Sequence, residues 1–366
     1  MINKQDIIEV LYNDASVGKL ALNKQNLSVF EYDSNWIETG FSISPIYLPL
    51  EKKTFVAKKD PFDGLFGVFN DSLPDGWGRL LIDRYIRSKG FDAKALSILD
   101  RLSLVGKNGM GALSYLPCNK IDTKYDIDEI DYYAKEVEKI IESKNAHNLE
   151  LLIAKAGSSA GVRPKVLINF NNDVWLVKFP AQYDDESIGE IEYNCSVLAR
   201  KCMIEMTETR LFNNKYFGTK LFDRDKDQRF HVHSASGLLY ASHRLPSLDY
   251  EDLIKLTHFL TKDFNEVEKM FNLMVFNIFI ENRDDHARNF SYVYKANKWK
   301  LSHAYDLTPS YGFNGRHSTT VMGNGNPDKN DILKLAKHTG FPEDKAKIII
   351  ERNMDVIFSD KKNTKN

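Results

Sequence analysis

The residues best suited to chemistry lie between positions 283 and 306. Arg283-Asp-Asp-His-Ala-Arg-Asn289 places a carboxylate, Asp284, five positions before an amide, Asn289. Seventeen residues after that amide, Asp306 stands alone among apolar and turn-forming residues. Carboxylate and amide oxygens are the ligands that Mg²⁺ prefers in proteins. These side chains therefore predict a magnesium site, with Asn289 and Asp306 as metal ligands and Asp284 placed to orient an attacking hydroxyl.

The Asp-x-x-x-x-Asn spacing is typical of the catalytic loop of protein kinases, where the aspartate orients the substrate hydroxyl and the asparagine binds magnesium. Two other interpretations are open for the same residues. The segment could be an Asx-rich turn that caps helices. Alternatively, Asp284, Asp285 and His286 could serve a metal-dependent phosphatase or nuclease, which would need a second carboxylate cluster.

A lysine within an apolar strand is the next chemical feature. Lys178 lies in Trp175-Leu-Val-Lys-Phe179, where an ammonium near the core needs an anionic partner because its desolvation is costly. A nucleotide phosphate would supply that charge. Glu192, at the start of the next helix, could hold the ammonium in place, as the strand lysine and helix glutamate of kinases do. The alternative is a lysine that extends to solvent from a sheet edge, beside a solvated glutamate.

A glycine-rich segment precedes this strand. Ala156-Gly-Ser-Ser-Ala-Gly-Val-Arg-Pro-Lys165 offers two glycines and two hydroxyls where backbone N–H groups could face phosphate oxygens. It matches neither the Walker A spacing nor the dinucleotide fingerprint, and alone such a loop is more often a plain connector. The order of the features along the chain nevertheless matches that of a two-lobed kinase: the glycine loop comes first, then the lysine, the glutamate, the aspartate loop and the second aspartate.

The hydrophobic pattern predicts the elements that would position these residues. Residues 166–170 and 174–179 are typical of a hairpin that turns at Asn171-Asn-Asp173, and 190–201 predicts a helix. β character resumes over 215–222 and 230–233. From Tyr250 onward the chain is helical, interrupted by the polar loop at 282–289 and a hairpin that turns at 295–298.

The part of the chain before residue 150 has a different pattern. Short apolar runs between turn formers predict a small antiparallel sheet in residues 7–50. Residues 76–90 predict a helix that Gly90 ends, and 119–148 predicts a helical connector. The chain is therefore expected to be an α+β protein.

Composition limits the class of protein. The 366 residues carry 50 Lys and Arg against 51 Asp and Glu, so a nucleic-acid-binding surface over most of the molecule is not expected. Cys118, Cys195 and Cys202 cannot all pair, which indicates a reducing compartment. Charges within Met1–Val10 argue against a signal peptide, and the apolar run 271–280 is too short to span a bilayer. We therefore expect a cytoplasmic protein without a membrane segment.

Six motifs together resemble the HipA family, the serine/threonine kinase toxins of bacterial type II toxin-antitoxin systems. The resemblance extends from about residue 8 to at least 311. The motifs are Ser72-Leu-Pro-Asp-Gly-Trp-Gly-Arg79, Gly109-Met-Gly-Ala-Leu113, the 157–165 loop, Leu221-Phe-Asp-Arg224, Asp284-Asp-His-Ala-Arg-Asn-Phe-Ser291 and Tyr305-Asp-Leu-Thr-Pro-Ser310. Two positions depart from the kinase pattern: Asn282 stands where many kinases have histidine, and Asp306-Leu-Thr308 replaces Asp-Phe-Gly.

The resemblance implies a two-lobed, protein-kinase-like fold with an added β-rich N-terminal subdomain and a mostly helical C-terminal lobe. The corresponding segments are 1–120, 121–248 and 249–366, with a disordered tail from about 359. It also implies ATP and Mg²⁺ as cofactors and Asp284 as the catalytic aspartate. The residues expected to contact ATP are Gly157, Ser158, Ser159, Ala160, Gly161, Lys178, Lys220, Phe222, Asp284, His286, Asn289 and Asp306, with Lys220–Phe222 binding the adenine through their backbone.

Regulation and partners are implied in the same way. Ser158, or its neighbour Ser159, is the expected autophosphorylation site, because a phosphate of about −1.5 to −2 charges in the glycine loop would repel ATP and inactivate the enzyme. The alternative is a serine that only hydrogen-bonds its own backbone. An aminoacyl-tRNA synthetase is the implied target and a small helix-turn-helix antitoxin the implied partner, with DNA contacted mainly through the antitoxin. A nucleotide-binding pseudokinase that acts as co-repressor is the alternative function.

Three further features have structural interpretations. His231 and His233 share one strand face without an evident third metal ligand, so a structural role is favoured. Residues 73–79 predict a turn and helix start that docks the N-terminal subdomain. Residues 333–350 have the outline of a helix-turn-helix, but Glu343 and Asp344 would face DNA phosphates, so two packed helices are preferred.

Overall fold

The structure is a computed structural model, and it describes residues 4–119, 121, 129–144, 148–156, 161–226 and 228–363, with side chains as far as 360. The chain divides into two compact units. The first unit comprises residues 1–189 and 210–233, and the second comprises residues 190–209 and 234–366. Each unit therefore contains two separate stretches of the chain.

The first unit begins with a five-stranded antiparallel sheet. Its strands are β1 (Ile7–Tyr12), β2 (Ala15–Leu22), β3 (Ser28–Tyr32), β4 (Thr54–Val56) and β5 (Leu113–Leu116), in the spatial order β4-β3-β2-β1-β5. Ile8, Leu20 and Phe30 lie opposite one another across β1, β2 and β3, and all three are fully buried. Side chains at alternate strand positions share one face. The antiparallel sheet predicted in residues 7–50 is confirmed over residues 7–32. The apolar run at residues 36–40, which was expected to add a strand, lies instead in a helix (Ser34–Thr39), and β4 and β5 complete the sheet from outside the predicted range.

Four helices and a 3-10 turn accompany this sheet. They are α1 (Ser34–Thr39), α2 (Gly67–Asn70), α3 (Gly76–Ser88), the turn Ala93–Ala95 and α4 (Ile98–Val105). The Asp75 side chain caps α3 by accepting a hydrogen bond from the Gly76 N–H. The helix ends at Ser88, and Gly90 follows with a φ of +81°. The predicted helix is thus confirmed, with its end two residues earlier.

A second sheet lies further along the first unit. Helices α5 (Ile130–Ile141) and α6 (Leu149–Ala156) precede strands β6 (Lys165–Phe170), β7 (Asp173–Lys178), β8 (Thr209–Phe212) and β9 (Tyr216–Lys220), in the order β6-β7-β9-β8. Asn171 and Asn172 have φ values of 53° and 65°, the left-handed conformation that a two-residue hairpin turn requires. The predicted hairpin is confirmed. The short strands β10 (Arg224–Asp225), β11 (Gln228–Arg229) and β12 (His231–Ser234) follow.

One hydrophobic core joins α3 to this second sheet. Trp77 and Leu81 of α3 belong to the same buried cluster as Tyr133 of α5, Val166 of β6 and Trp175 of β7. Tyr133 of α5, within the predicted helical connector 119–148, is fully buried. The expectation that residues 73–79 dock the N-terminal part of the chain is therefore met by direct packing.

The second unit is mostly helical. Its helices are α7 (Ile188–Lys201, which begins at the unit boundary), α8 (Ala235–Leu239), α9 (Tyr250–Thr261), α10 (Phe264–Ile280), α11 (Lys329–Thr339) and α12 (Glu343–Asn363). Short strands β13 (Leu248–Asp249) and β16 (Thr319–Thr320) pair in parallel, and β14 (Ser291–Lys295) and β15 (Lys298–Leu301) form the predicted hairpin. α10 lies at the centre of the core, where Phe271 stacks on Phe341 with ring centroids 4.2 Å apart.

The C-terminal part of the chain differs from expectation in one respect. α11 and α12 pack as two helices on either side of Gly340, as predicted for residues 333–350. However, α12 continues to Asn363. The prediction of a disordered tail from about residue 359 is therefore wrong for residues 359–363. In these last turns Ile357 is fully buried, and Asp360 lies 3.2 Å from the exposed Lys201 ammonium. Residues 364–366 lie outside the described residues.

Membrane and cysteine features are simple. Within the described ranges, no helix combines the length and apolar character needed to cross a bilayer. Cys195 and Cys202 are buried free thiols. Burial raises the pKa of Cys195 to about 12 and that of Cys202 to about 11, so neither is ionised near neutral pH. The domain limits at 120 and 248 stay a prediction.

His231 and His233 have structural partners in the first unit. The His231 Nε2 lies 2.7 Å from the Ile43 carbonyl, and His233 lies 2.7 Å from an Asp71 carboxylate oxygen and 3.0 Å from the Ser44 hydroxyl. Burial, reinforced by the neighbouring His233, lowers the pKa of His231 to about 3. The imidazole of His231 is therefore neutral near pH 7.

We expect the stability of the first unit to fall on mild acidification because of His231. The unfolded chain takes up a proton near pH 6.5, whereas the folded chain does not until about pH 3, so stability is lost as the pH falls below 6.5. Between about pH 7 and pH 5 this single group should remove about 2 kcal/mol. Urea unfolding at both values, compared with His231→Gln, measures the difference, since His233 and Asp71 are common to both proteins. Equal losses in the two proteins would contradict the assignment.

The core of the second unit predicts a large effect at Phe271. Phe271→Ala should lower the free energy of unfolding by about 3 to 5 kcal/mol, because it leaves a cavity against Phe341 in a closely packed interior. The matched control is Phe259→Ala, since the Phe259 side chain is 56% exposed, and its effect should stay within about 0.5 kcal/mol. Urea unfolding followed by circular dichroism measures both, and similar losses for the two variants would refute this view of the core.

Candidate active site

The loop that carries Asp284 is fixed at the end of α10. Glu281 ends that helix in a left-handed conformation, with a φ of 62°, and its N–H bonds back to the Asn277 carbonyl. The chain then passes through Asp284 to a 3-10 turn (Ala287–Asn289). The Asn289 Nδ2 donates a hydrogen bond of 2.8 Å to the Asp284 carbonyl. The two residues of the predicted Asp-x-x-x-x-Asn motif are thus joined directly.

The segment that carries Asp306 lies alongside this loop. The Asn282 amide Nδ2 donates to the Asp306 carbonyl at 3.1 Å, and the Ser310 N–H donates to the Glu281 carbonyl at 3.0 Å. In the other direction, the Asp284 N–H donates to the Ser310 hydroxyl at 2.8 Å. Three hydrogen bonds therefore hold residues 306–310 against residues 281–284 and bring the two predicted metal-binding segments together.

Backbone conformation at Asp306 is unusual. Its φ is 54°, in the left-handed region that non-glycine residues rarely occupy and that is found preferentially at functional sites. Tyr305, the preceding residue, donates its hydroxyl to the Arg288 carbonyl at 2.7 Å. The neighbouring hydrogen bonds therefore support the strained residue.

The pKa of His286 depends on the charged groups around it. Burial lowers its pKa, and so does His243, whose ring centroid is 6.0 Å away, whereas Asp284 and Asp306 act in the opposite direction. Both carboxylates therefore lie close enough to interact with this imidazole. Its Nδ1 atom is buried and has no hydrogen-bond partner among the residues that the structure describes. A buried polar atom without a partner is rare in proteins and is a candidate contact for a bound group.

Asp285 is quite different from Asp284, although the two are adjacent. Asp284 is exposed, whereas Asp285 is fully buried. The Asp285 carboxylate accepts hydrogen bonds from the Tyr250 hydroxyl at 2.7 Å and from the N–H groups of Ser318 and Thr319 at 2.8 and 3.2 Å. His317 lies 3.0 Å from it. Burial and the Asp285 charge raise the pKa of Tyr250, so its hydroxyl stays protonated and continues to donate.

This placement removes Asp285 from the metal-binding candidates. Its carboxylate oxygens are already used by protein donors, so the phosphatase or nuclease interpretation, which required Asp284, Asp285 and His286 together, is not supported. Across the described parts of the chain, no group of three or more His, Cys, Asp or Glu side chains could hold a metal ion. Two carboxylates and one amide remain, a set that suits a magnesium ion whose other ligands are phosphates and water.

The residues predicted to bind the rest of ATP lie in the first unit. Lys178 is the buried last residue of β7, and its ammonium lies 5.6 Å from the centre of the Phe217 ring. Lys220 ends β9, and its ammonium is 2.7 Å from the Asp173 carboxylate. That ion pair occupies the Lys220 side chain, and the backbone pairs with β7: Lys220 lies opposite Trp175, and the Leu221 N–H donates to the Val174 carbonyl at 3.0 Å. Phe222 follows, half-buried.

Glu192 lies on α7, in the second unit, and is buried. Lys178 belongs to the first unit. The pairing of these two residues therefore stays a prediction. The helix predicted to carry Glu192, over 190–201, is confirmed by α7.

The glycine loop is described only at its end. Gly157, Ser158, Ser159 and Ala160 lie outside the described residues. Gly161 has a φ of +108°, and its carbonyl accepts a hydrogen bond of 3.2 Å from the Trp77 N–H. A Cβ atom on Gly76 would lie 2.5 Å from that same carbonyl. The Leu73-Pro-Asp-Gly-Trp77 motif therefore supports the end of the loop, and only glycine at position 76 permits the approach.

A second N-terminal motif has an equivalent structural explanation. The Gly111 N–H donates to the buried Asp223 carboxylate at 2.7 Å, and Arg229 donates to the Lys107 and Gly109 carbonyls. Residues 109–113 and 221–224, which the sequence marks as separate motifs, are thus parts of one contact. Sequence reasoning missed it because the two segments are more than 100 positions apart.

Adjacent carboxylates with opposite environments give a sharp test. Asp285→Ala should destabilise the second unit by about 3 kcal/mol or more, since buried donors from Tyr250, Ser318 and Thr319 would lose their acceptor. Asp284→Ala should change stability by no more than about 0.5 kcal/mol, because its carboxylate is exposed. Urea unfolding of both variants distinguishes them. Comparable destabilisation would contradict the assigned division between a structural and a functional aspartate.

Comparison with known proteins adds independent findings. The HipA-like C-terminal domain matches residues 157–359, and the HipA N-terminal domain matches residues 8–116. Y4dM of Sinorhizobium fredii is 22% identical to this chain, and the similarity covers 89% of this chain and 87% of the length of Y4dM. The name of Y4dM assigns it provisionally to the kinases.

A solved structure shares the fold. It contains HipA of Shewanella oneidensis with HipB and operator DNA, and the similarity covers 96% of this chain and 88% of that one, with a TM-score of 0.71 and 17% identity. The kinase-like α+β fold is thereby confirmed. Because the C-terminal domain match alone spans more than half of the residues, the chain belongs to the HipA family.

Proposed function

We propose that this protein is an ATP-dependent serine/threonine protein kinase and acts as the toxin of a bacterial toxin-antitoxin pair. The observation that carries the proposal is the set of hydrogen bonds that holds residues 306–310 against residues 281–284. It places Asp284, Asn289 and Asp306 in adjacent segments of one unit. Family membership supports the same reaction.

The side chains suit ATP with magnesium. Asn289 uses its Nδ2 to bond the Asp284 carbonyl, which leaves its Oδ1 as the atom that would bind a cation. The Asp306 carboxylate would be the second ligand, and the buried Nδ1 of His286 is available to a phosphate oxygen or water. Magnesium would neutralise charge on the transferred phosphoryl group. Asp284, exposed at the front of the loop, would orient the substrate hydroxyl and accept its proton.

The remaining nucleotide contacts are assigned to the first unit. Lys178, buried at the end of its strand, would neutralise phosphate charge with Glu192 as its partner, and residues 157–161 would contact phosphates through their backbone. The backbone of Lys220–Phe222 would hold the adenine, which is compatible with the ion pair between the Lys220 side chain and Asp173. Ser158, or Ser159, would be the autophosphorylation site.

The proposed partner is a small DNA-binding antitoxin. The support is the Shewanella oneidensis complex, which contains HipA, HipB and operator DNA. This chain would reach DNA mainly through that partner, since its own net charge is −1. The proposed target is a protein of the translation apparatus, such as an aminoacyl-tRNA synthetase, whose phosphorylation would stop growth in the cytoplasm.

Loss of the Asp284 carboxylate tests the proposed reaction. Asp284→Asn should reduce phosphate incorporation by about 100- to 10,000-fold, because the amide cannot accept the hydroxyl proton, while the urea midpoint stays unchanged. The matched control is Asp344→Asn at the exposed start of α12, which should retain full activity. Phosphopeptide mass spectrometry after incubation with Mg-ATP measures incorporation and identifies Ser158 or Ser159. Undiminished incorporation in Asp284→Asn, or none in the wild type and in lysate proteins, would refute the proposal.

A further inference from the structure

A cavity of about 260 Å³ opens beside Asp284 within the second unit. It is lined by the segment His243–Pro246 on one side and by Ser310, Gly312, Phe313 and Ser318 on the other, with Asp284 between them. The volume lies just below the range of small-molecule pockets, about 300 to 1,000 Å³. It is better matched to one or two side chains of a peptide than to a whole nucleotide.

The position of the cavity next to Asp284 determines which substrate could occupy it. A general base must lie within hydrogen-bond reach of the proton that it accepts. If Asp284 has the role proposed above, the acceptor hydroxyl has to approach its carboxylate, and the cavity is contiguous with that residue. The inference therefore rests on the proposed function and specifies its substrate.

Two apolar side chains form part of the rim of the cavity. The side chains of Leu245 and Phe313 are 69% and 68% exposed, and exposed apolar residues grouped around a cavity are typical of binding sites. Phe313 lies on a tight turn closed by a hydrogen bond from the Arg316 N–H to the Phe313 carbonyl. Gly312 has a φ of +68°, and a Cβ atom there would lie 2.5 Å from the Arg283 Cβ. The turn is thus packed against the catalytic loop.

Charge on the rim indicates the composition of the occupant. Arg244 lines the cavity and is exposed, and the part of the chain that the structure describes provides no carboxylate partner for its guanidinium. Arg283, in contrast, is paired with Glu281 at 3.2 Å. A guanidinium binds a carboxylate with strong, oriented hydrogen bonds. The complement of this surface is a hydroxyl for Asp284, an apolar side chain for Leu245 and Phe313, and a carboxylate for Arg244.

We propose that this cavity is the acceptor site and that it selects serine- or threonine-containing peptide segments with an acidic and an apolar residue next to the hydroxyl. Arg244 and Phe313 are then residues that determine specificity. They would contact the protein substrate and leave the nucleotide to other residues.

Binding of two synthetic peptides tests this proposal without requiring turnover. Both peptides carry a central serine and a neighbouring leucine, and they differ only in having glutamate or lysine at the remaining flanking positions. Fluorescence anisotropy should show the glutamate peptide binding about tenfold more tightly, and Arg244→Glu should abolish or reverse that ratio, because an attractive rim charge becomes repulsive. Phe313→Ala should weaken both peptides about fivefold. The control Lys337→Glu, on an exposed position of α11 outside the cavity lining, should leave the ratio unchanged.

Equal binding of the two peptides, tighter binding of the lysine peptide, or an unchanged ratio in Arg244→Glu would overturn the proposal. So would a higher KM for ATP in Arg244→Glu with peptide binding unaltered, since Arg244 would then serve the nucleotide. Adding Mg-ATP separates the two proposals. Selective peptide binding without phosphate transfer would support the acceptor site and refute the proposed kinase reaction. Phosphate transfer to lysate proteins without charge selectivity in peptide binding would support the kinase reaction and refute the acceptor site.

Discussion

The hydrogen bonds of the Asn282 side chain determine the geometry of the candidate active site. Its amide joins the Asn277 side chain of α10, at 3.0 Å, to the Asp306 carbonyl, at 3.1 Å. Asn282 is itself buried, so this polar side chain is kept inside the protein only because both partners are present. Helix α10, at the centre of the core of the second unit, is thereby linked to Asp306, whose backbone has a positive φ, and Asp284 lies in the loop between them.

Hydrogen bonds to the buried Asp285 carboxylate hold the core-facing side of the same loop. Asp285 binds the start of α9 through Tyr250 and the strand β16 through Thr319. The exposed carboxylate of Asp284 gains its orientation from the buried carboxylate beside it. Of these two adjacent side chains, Asp285 lies in the core and Asp284 lines the cavity.

Much of this arrangement could be predicted from the sequence, and the failures have physical causes. Hairpins with asparagine turns and helices with apolar faces depend on local interactions, so they were predicted correctly. Asp285 could not be distinguished from Asp284, because loops have no periodicity and its partners lie more than 30 positions away. Asn282 was seen as a departure from the kinase pattern, whereas it has its own bonding role. The end of α12 packs on residues far away in the sequence, as the contact between the Phe358 and Phe279 rings shows, and the cavity depends on segments that only tertiary packing brings together.

The core shared by Trp77, Leu81, Val166 and Trp175 affects how the family's two domains should be regarded. The N-terminal match ends at residue 116 and the C-terminal match begins at 157, yet Trp77 belongs to a buried cluster that includes Val166 and Trp175 from the second match. Homology boundaries and folding boundaries therefore do not coincide in this chain. The β-rich extension is not an independent module that recombination could exchange for another, because a transplanted kinase-like portion would lack part of its own interior.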